Sequence, residues 1–118
     1  MTDLIACLSS GKGTWEHIKQ IIEKEKWENI FLITDDFGKS NFKVNKNVNF
    51  VLVNSQDPIN IYTDLIISQL HGKIKGIEVA LNLVSGSGKE HMGILSALLK
   101  LGFAVRLVAY TKDGIKEI

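Results

Sequence analysis

The sequence predicts an α/β domain with a mostly parallel sheet. Short apolar runs of strand length alternate along the 118-residue chain with longer segments of helical period. Two of these runs end in glycine-rich loops that enter helices, as strands do in parallel strand–helix units. The length fits one folded domain, residues 1–118, with one core.

The chain opens with a strand, a glycine loop and an amphipathic helix. Residues 4–8 form a continuous apolar run that enters the polar loop 9–13. Thr14 stands where a helix cap is expected. Beyond it, apolar side chains recur on one helix face: Trp15, Ile18, Ile21 and Ile22.

Two further short runs predict the second and third strands. Residues 30–34 and 50–53 are rich in β-branched and aromatic side chains and are too short for helices. Between them, residues 35–47 show no helical period, and the sequence leaves their structure open. Asp35 and Asp36 follow the second strand and are interpreted as a turn with solvated charge, with a ribose or metal contact as the alternative.

The second half repeats the alternation. Asp57 predicts the cap of a helix and Pro58 its first residue, and the segment that follows, 59–70, is apolar nearly all round. Such a helix is expected to be covered on more than one side, by the sheet and either the monomer's own core or a second subunit. Residues 77–84 predict the fourth strand.

The last part of the chain predicts a third helix and a fifth strand. The helix covers 90–101, with Gly93, Ser96 and Ala97 permitting close packing and Gly102 ending it. Its inward side chains are predicted to be Met92, Leu95, Leu98 and Leu99. Residues 104–110 predict the strand, and residues 111–118 read as a polar tail without a motif.

This arrangement predicts a three-layer, Rossmann-like domain: a five-stranded sheet in the order 3-2-1-4-5 with helices on both faces. In that order strands one and four are neighbours, and a crevice opens beyond their carboxyl ends. The two glycine loops follow those strands and lead into helix N-termini, which favour anions such as phosphate. The candidate ligand-binding residues are Ser9, Ser10, Gly11, Lys12 and Gly13 in the first loop and Ser85, Gly86, Ser87, Gly88 and Lys89 in the second.

Known phosphate motifs narrow the choice of ligand. Neither loop has the glycine spacing of a P-loop or of a dinucleotide-binding fingerprint, which disfavours ATPase and NAD-dependent functions. The alternative is that the glycines only make tight turns and that Lys12 and Lys89 are solvated.

Composition excludes several other classes of function. The formal net charge of +1 gives no global field toward duplex nucleic acid or a membrane. Cys7 is alone, which excludes an internal disulfide, and it is expected in the core. No signal peptide is recognisable, so a cytoplasmic location is expected. His17 and His71 lack partners at metal-ligand spacing and are expected at the surface, and no metal or cofactor is predicted.

Residues 82–89 read Asn-Leu-Val-Ser-Gly-Ser-Gly-Lys, and this segment resembles the fourth-strand signature of the CARF family, the CRISPR-associated Rossmann-like domains that sense cyclic oligoadenylates. The likeness covers nearly the whole chain and extends to the loop after strand one. The segment departs from the family pattern by one extra residue, Val84, and by Gly88, where a hydroxyl residue is common. The resemblance adds Asn82 to the candidate ligand-binding residues.

The resemblance implies a homodimer that binds one cyclic oligoadenylate across its two-fold axis. It further implies either a sensor or a metal-independent ring nuclease, in which a ribose 2′-hydroxyl attacks the adjacent phosphate. For cleavage, Lys89 would stabilise charge, Ser10 (or Ser9) would orient the reacting groups and His91 would shuttle a proton. Arg106 is the only arginine, so an Arg-x-x-x-x-His ribonuclease motif cannot form.

Two other interpretations remain. The chain is alternatively a regulatory or interaction domain detached from a larger protein, or an unrelated Rossmann-like protein that binds a mononucleotide. Trp15 and Met92 are interpreted as core residues, although Trp15 at a cleft edge would also suit stacking on a base.

Overall fold

The structure is a computed structural model that describes residues 2–9 and 12–118, with the backbone alone at Lys12. Its strands and helices, in chain order, are β1 (Asp3–Cys7), α1 (Trp15–Lys24), β2 (Ile30–Thr34), α2 (Asp36–Asn41), β3 (Asn49–Leu52), α3 (Ile59–Leu70), β4 (Glu78–Asn82), α4 (Gly88–Lys100), β5 (Ala104–Thr111) and β6 (Gly114–Glu117). A short 3₁₀ turn over Lys12–Thr14 precedes α1.

The strands form one sheet in the order β3-β2-β1-β4-β5-β6, so the predicted order of the first five strands is confirmed. The pairs among these five are parallel, and β1 lies between β2 and β4. The sixth strand runs antiparallel to β5 and comes from the tail in which the sequence showed no motif. Arg106 in β5 braces this end of the sheet through ion pairs with Glu78 and Glu117, at 2.9 and 3.0 Å.

Helices cover both faces of the sheet, as predicted. Successive residues of β1 alternate between the two cores: Ile5 and Cys7 pack on the side of α3 and α4, and Leu4 and Ala6 on the side of α1. Burial on both faces explains why the strands read as continuous apolar runs rather than as alternating patterns.

The open segment after β2 contains the short helix α2. Oδ1 of Asp35 accepts a hydrogen bond of 2.9 Å from the backbone N–H of Gly38, so Asp35 is a helix cap rather than a turn residue. Gly38 lies against Thr34, whose Oγ1 would be 1.9 Å from any Cβ at that position. Because α2 has only six residues and contacts Thr34 of β2 through a glycine, it shows no apolar period. The secondary structure of this segment was therefore not predictable from the sequence.

Helices α3 and α4 pack closely through Gly93, where an added Cβ would lie 2.6 Å from the ring of Tyr62. The predicted close packing through small residues is therefore confirmed at Gly93, and Ala97 is also buried.

The predicted inward face of α4 is wrong in part. Met92 is 65% exposed and Leu99 60% exposed, and Leu95 is also exposed. The helix is apolar on two sides, and the side with small residues is the one that faces the core.

Within the single chain the apolar helix α3 is covered on one side only, so the expectation that the monomer's own core covers it on more than one side is wrong, and cover by a second subunit stays a prediction. Tyr62, Ile66 and Leu70 are buried, whereas Ile61 and Leu65 are exposed. The helix begins at Ile59, one residue later than predicted, with Pro58 in the cap position.

Within the described residues, no helix combines the length and the apolar character that a membrane span requires.

The outer edge of β3 is occupied by a side chain of α3. Gln69 accepts a hydrogen bond from the backbone N–H of Leu52 at 3.1 Å and donates one to its carbonyl oxygen at 2.9 Å. Its amide thus pairs with Leu52 as a neighbouring strand would.

Candidate functional site

The two glycine loops meet at the carboxyl ends of adjacent strands. β1 and β4 are parallel neighbours with Ala6 opposite Asn82. Just beyond them, the backbone N–H of Ser9 donates a hydrogen bond of 2.8 Å to Oγ of Ser85. Ser85 is only 1% exposed, so this contact joins the loops from within. The two loops therefore contact each other at the switch in strand order, where the sequence predicted that they meet.

The first loop is also fixed to α1. Nε1 of Trp15 donates a hydrogen bond of 2.7 Å to the carbonyl oxygen of Ser9. The indole is buried, as predicted for a core residue, and packs edge-on against Phe42 with ring centroids 5.7 Å apart. Ser9 is thus held on both sides of its backbone. The sequence predicted the burial of Trp15 but not this hydrogen bond, for which a Trp two residues after the glycine loop was the available signal.

The second loop turns at Gly86 above the buried thiol of Cys7. Gly86 has φ +109°, and an added Cβ would lie 2.7 Å from Sγ of Cys7. Glycine is required here both by the backbone conformation and by this close approach. Burial raises the pKa of the Cys7 thiol strongly, and the Glu90 carboxylate raises it further. Cys7 is therefore a packing residue, as expected.

His91 faces the loop rather than open solvent. Its Nε2 lies 2.7 Å from the carbonyl oxygen of Ser85, so Nε2 carries the proton and donates it to that hydrogen bond. Through this hydrogen bond the His91 ring fixes Ser85, whose side-chain hydroxyl accepts the hydrogen bond from the Ser9 N–H. A histidine in this position orients the loop, and the proton-shuttle role that the family resemblance implies for His91 stays a prediction.

The beginning of α4 is a capping box. Oγ of Ser87 accepts from the backbone N–H of Glu90, and Oε1 of Glu90 accepts from the backbone N–H of Ser87. The side chain of Ser87 therefore stabilises the helix terminus. Gly88 begins the helix with nothing within 4 Å of the position a Cβ would occupy. The open space above Gly88 gives a ligand access to the first turn of α4.

Lys89 is directed to the loop between β3 and α3. Its Nζ donates a hydrogen bond of 2.9 Å to the carbonyl oxygen of Ser55 and another to that of Asp57. These contacts connect the start of α4 to the start of α3. The ammonium group lies beside the crevice but already has two backbone acceptors.

Asn82 lies away from the crevice, on the side of the sheet covered by α1. It is 2% exposed, and its Nδ2 donates to the carbonyl oxygen of Val108 at 2.8 Å. Nδ2 also lies 3.2 Å from Nε2 of His17, and the N–H of Tyr110 lies 3.3 Å from the same nitrogen. Nε2 of His17 thus accepts two hydrogen bonds, which leaves the ring proton on Nδ1.

The surface position predicted for His17 is wrong, because the ring is half-buried between α1 and the sheet. Burial lowers its pKa. The prediction for His71 is confirmed, since that residue is exposed. A histidine on the polar side of an amphipathic helix gives no sequence signal of a partner on a distant strand.

Three candidate residues of the first loop are only partly described. Ser10 and Gly11 lie outside the described residues, as does the side chain of Lys12. Gly13 is exposed, with nothing within 4 Å of its Cβ position. The described part of the site therefore comprises the backbone and side chain of Ser9, the second loop and the first turn of α4.

Comparison with known proteins gives no assignment. No protein-family model matches the chain, and no curated protein matches it. Among the residues that the structure describes, His, Cys, Asp and Glu side chains form no group of three or more with the arrangement of a metal site. The chemistry of the site must be argued from its own geometry.

Proposed function

We propose that this protein binds a cyclic oligoadenylate as a homodimer, with the phosphodiester backbone of the ligand at the two joined loops. The hydrogen bond from Ser9 to Ser85 carries this proposal, because it brings the loops of β1 and β4 to one place. The backbone N–H groups of Gly88 and Lys89 in the first turn of α4 are the ones suited to phosphate oxygens, because those of Ser9, Ser87 and Glu90 already donate to side chains of the protein. The resemblance of residues 82–89 to the CARF signature supplies the ligand class.

An exposed apolar stripe on α4 supports the dimer. Met92, Leu95 and Leu99 are spaced i, i+3 and i+7, the spacing of successive core positions in paired helices. Together with Ser96 and Lys100 they line a shallow groove on the outer face of α4. Clustered exposed apolar side chains of this kind are typical of interaction surfaces.

The position of the proposed ligand site determines the direction of the two-fold axis in the proposed dimer. If two copies of α4 pair in parallel, each stripe contacts its own equivalent, and the two carboxyl edges open at the same end of the dimer. One ring-shaped ligand then reaches both sites. An antiparallel pairing would direct the two sites to opposite ends, so the shared ligand requires the parallel one.

The geometry favours holding the ligand over cleaving it. Lys89, His91 and Ser87, three groups suited to catalysis or phosphate binding, all make hydrogen bonds to the protein's own backbone. Each gives rigidity to the loops, which is what a binding site needs. Ring cleavage additionally requires a group placed to take the 2′-hydroxyl proton and another to protonate the leaving 5′-oxygen.

Titration with cyclic tetraadenylate and cyclic hexaadenylate tests the proposal, with linear tetraadenylate as the matched control. We expect one ring bound per two chains, at micromolar or tighter dissociation constants, and weaker binding of the linear form. Chromatography of the bound ligand should return the intact ring, and recovery of linear products would make the protein a ring nuclease. Absence of binding to both rings at micromolar protein would overturn the proposal.

A further inference from the structure

The outer border of β3 is covered at Leu52 and open at Phe50. The backbone N–H of Val53 donates to Thr34 of β2, so the backbone groups of Leu52 point away from β2. Gln69 binds both of them. Directions alternate along a strand, and the N–H and carbonyl oxygen of Phe50 therefore point to the same side as those of Leu52. Within the part of the chain that the structure describes, neither group of Phe50 has a hydrogen-bond partner there.

A cavity of about 540 Å³ opens at this border. Its walls come mainly from α2, from β3 and from the end of α3 with the turn that follows. Phe50 packs with the core on the side of α1 and Val51 with the core on the side of α3 and α4, and both residues line the cavity. The cavity therefore reaches around the edge of the sheet to both faces. Its volume is in the range of known ligand sites.

The charged side chains that line this cavity are basic. Lys39 of α2 and Lys73, which follows α3, are both exposed, and the described lining residues include no Asp or Glu. The two lysines come from opposite faces of the sheet, because α2 packs on the side of α1, where Phe37 contacts Trp15, and α3 covers the other side. The cavity therefore attracts anionic groups. Its remaining polar side chains are neutral: Asn29, Asn49, Ser68 and Gln69.

The contact of Gln69 with Leu52 indicates which group fits beside Phe50. The Gln69 amide offers a donor and an acceptor side by side, as the peptide group of an added strand does. A simple anion such as phosphate would accept from the Phe50 N–H but would place negative charge against the Phe50 carbonyl oxygen. An extended peptide satisfies both groups, and acidic side chains on it would pair with the lysines. An acidic peptide in extended conformation thus matches the backbone and the charge together.

We propose that this border binds an extended acidic segment of a partner protein, which pairs with Phe50 as an added strand and directs carboxylates to Lys39 and Lys73. Successive side chains of a strand point to opposite faces, so two adjacent acidic residues serve both lysines. Gln69 stops the pairing at Leu52 and limits the segment to a few residues. The inference goes beyond the proposed function, because this border lies two strands away from β1.

Three fluorescent peptides of equal length test the proposal on the full chain. The first alternates pairs of valine with pairs of glutamate, and the second has lysine in place of glutamate. The third is the acidic peptide N-methylated at its central residues, which prevents strand hydrogen bonds. At physiological salt, which screens distant charges, we expect the first peptide alone to bind, with a micromolar dissociation constant. Equal binding of either of the other two, or no binding of the acidic peptide at millimolar concentration, would overturn the proposal.

Charge reversal locates the bound peptide. Lys39→Glu combined with Lys73→Glu changes the net charge as much as the control, Lys112→Glu combined with Lys116→Glu at the β6 end of the sheet. We expect the first pair to weaken binding of the acidic peptide about tenfold and the control pair to stay within about twofold of the wild type. Wild-type affinity in the first pair would place the peptide elsewhere and would refute the proposal.

A change of bulk without a change of charge tests the cavity itself. Ser68→Trp adds a ring to the lining, and Asn60→Trp adds the same ring to the exposed first turn of α3 outside it. We expect about tenfold weaker binding for the first and about the wild-type affinity for the second. Circular dichroism and thermal unfolding establish that each variant is folded, and the lysine reversals at exposed positions decide alone if Ser68→Trp is not.

Amide hydrogen exchange gives a readout that docking on the lysines alone would not move. With the acidic peptide bound, the Phe50 N–H should exchange about tenfold more slowly, whereas the Leu52 N–H, already bonded to Gln69, should change little. Binding without protection of Phe50 would contradict strand addition. Sedimentation of the free protein tests the other occupant. If Lys39→Glu with Lys73→Glu abolishes an association that the wild type shows, this border joins copies of the chain and the proposal is wrong.

Discussion

The backbone N–H of Ser9 donates to Oγ of Ser85 across 76 positions of sequence, at a distance of 2.8 Å. The carbonyl of Ser9 accepts from Trp15, and the carbonyl of Ser85 accepts from His91. These three hydrogen bonds join α1, both glycine loops and α4 into one network. The described parts of both loops are therefore held by the protein's own contacts, which would lower the entropy lost on binding the proposed ligand.

Replacing Ser85 with Ala removes the acceptor of the Ser9 amide inside the protein. A buried donor that loses its partner costs about 1–3 kcal/mol, so we expect the free energy of unfolding in urea to fall by that amount. Ser68→Ala is the control, because that hydroxyl is exposed and donates only to the carbonyl of Leu65 in its own helix. Equal stability of the two variants would contradict a structural role for the contact.

Gly86 and Gly88 are expected to differ sharply in their tolerance of alanine. Gly86→Ala imposes a left-handed backbone on a side chain, at a cost of about 1–3 kcal/mol, and also meets Sγ of Cys7. Gly88→Ala meets nothing within 4 Å in the first turn of a helix and should be neutral or stabilising by about 0.4–1 kcal/mol.

The clash at Gly86 is separable from its backbone strain. Combining Gly86→Ala with Cys7→Ala removes the sulfur, so the double variant should be more stable than the sum of the single changes predicts. Denaturant unfolding of the wild type, the two single variants and the double variant measures this coupling. Strict additivity would show that the approach of Gly86 to Cys7 does not limit the loop.

His17 predicts a pH dependence of stability. Burial holds its pKa in the folded protein below the unfolded value of 6.5, so the unfolded chain binds more protons between those two pKa values. The contribution of neutral His17 to the free energy of unfolding is complete above pH 6.5 and is lost as the pH falls below that value. A protonated Nε2 cannot accept hydrogen bonds from Asn82 and Tyr110. His17→Gln should remove this part of the slope of unfolding free energy against pH. His71→Gln, at an exposed position, should retain it.

The α4 stripe predicts both association and its geometry. If the proposed dimer forms through this stripe, the wild type and Ile77→Glu, at a more exposed apolar residue, should sediment as dimers and Leu95→Glu as a monomer. Met92→Cys should form a disulfide between copies under mild oxidation, because parallel pairing places each residue 92 opposite its equivalent. The native thiol of Cys7 is buried and does not compete. Crosslinking that instead requires cysteines at 92 and 99 would indicate antiparallel pairing.

The order of the first five strands was predictable because each central strand is buried on both faces and therefore consists of a continuous apolar run. The meeting of the two glycine loops followed from that order. The helix at 36–41 and the strand at 114–117 were not predictable, because the first depends on Asp35 and Gly38 contacts and the second carries one inward apolar residue, Ile115.

The roles of individual site residues were less accessible than their location. Asn82 and Lys89 stand in the segment that predicted the site, yet one contacts α1 and β5 and the other contacts the loop before α3. Side-chain direction depends on which face of a strand or helix packs inward, and the two apolar sides of α4 left that undecided. The same ambiguity made Met92 read as a core residue.

The side-chain amide of Gln69 completes the hydrogen bonding of Leu52 at the border of the sheet. A strand from another molecule would have to displace this amide before it could add at Leu52. Gln69→Ala would leave the N–H and the carbonyl oxygen of Leu52 without this partner, and the variant should aggregate on storage more readily than the wild type, as light scattering would show.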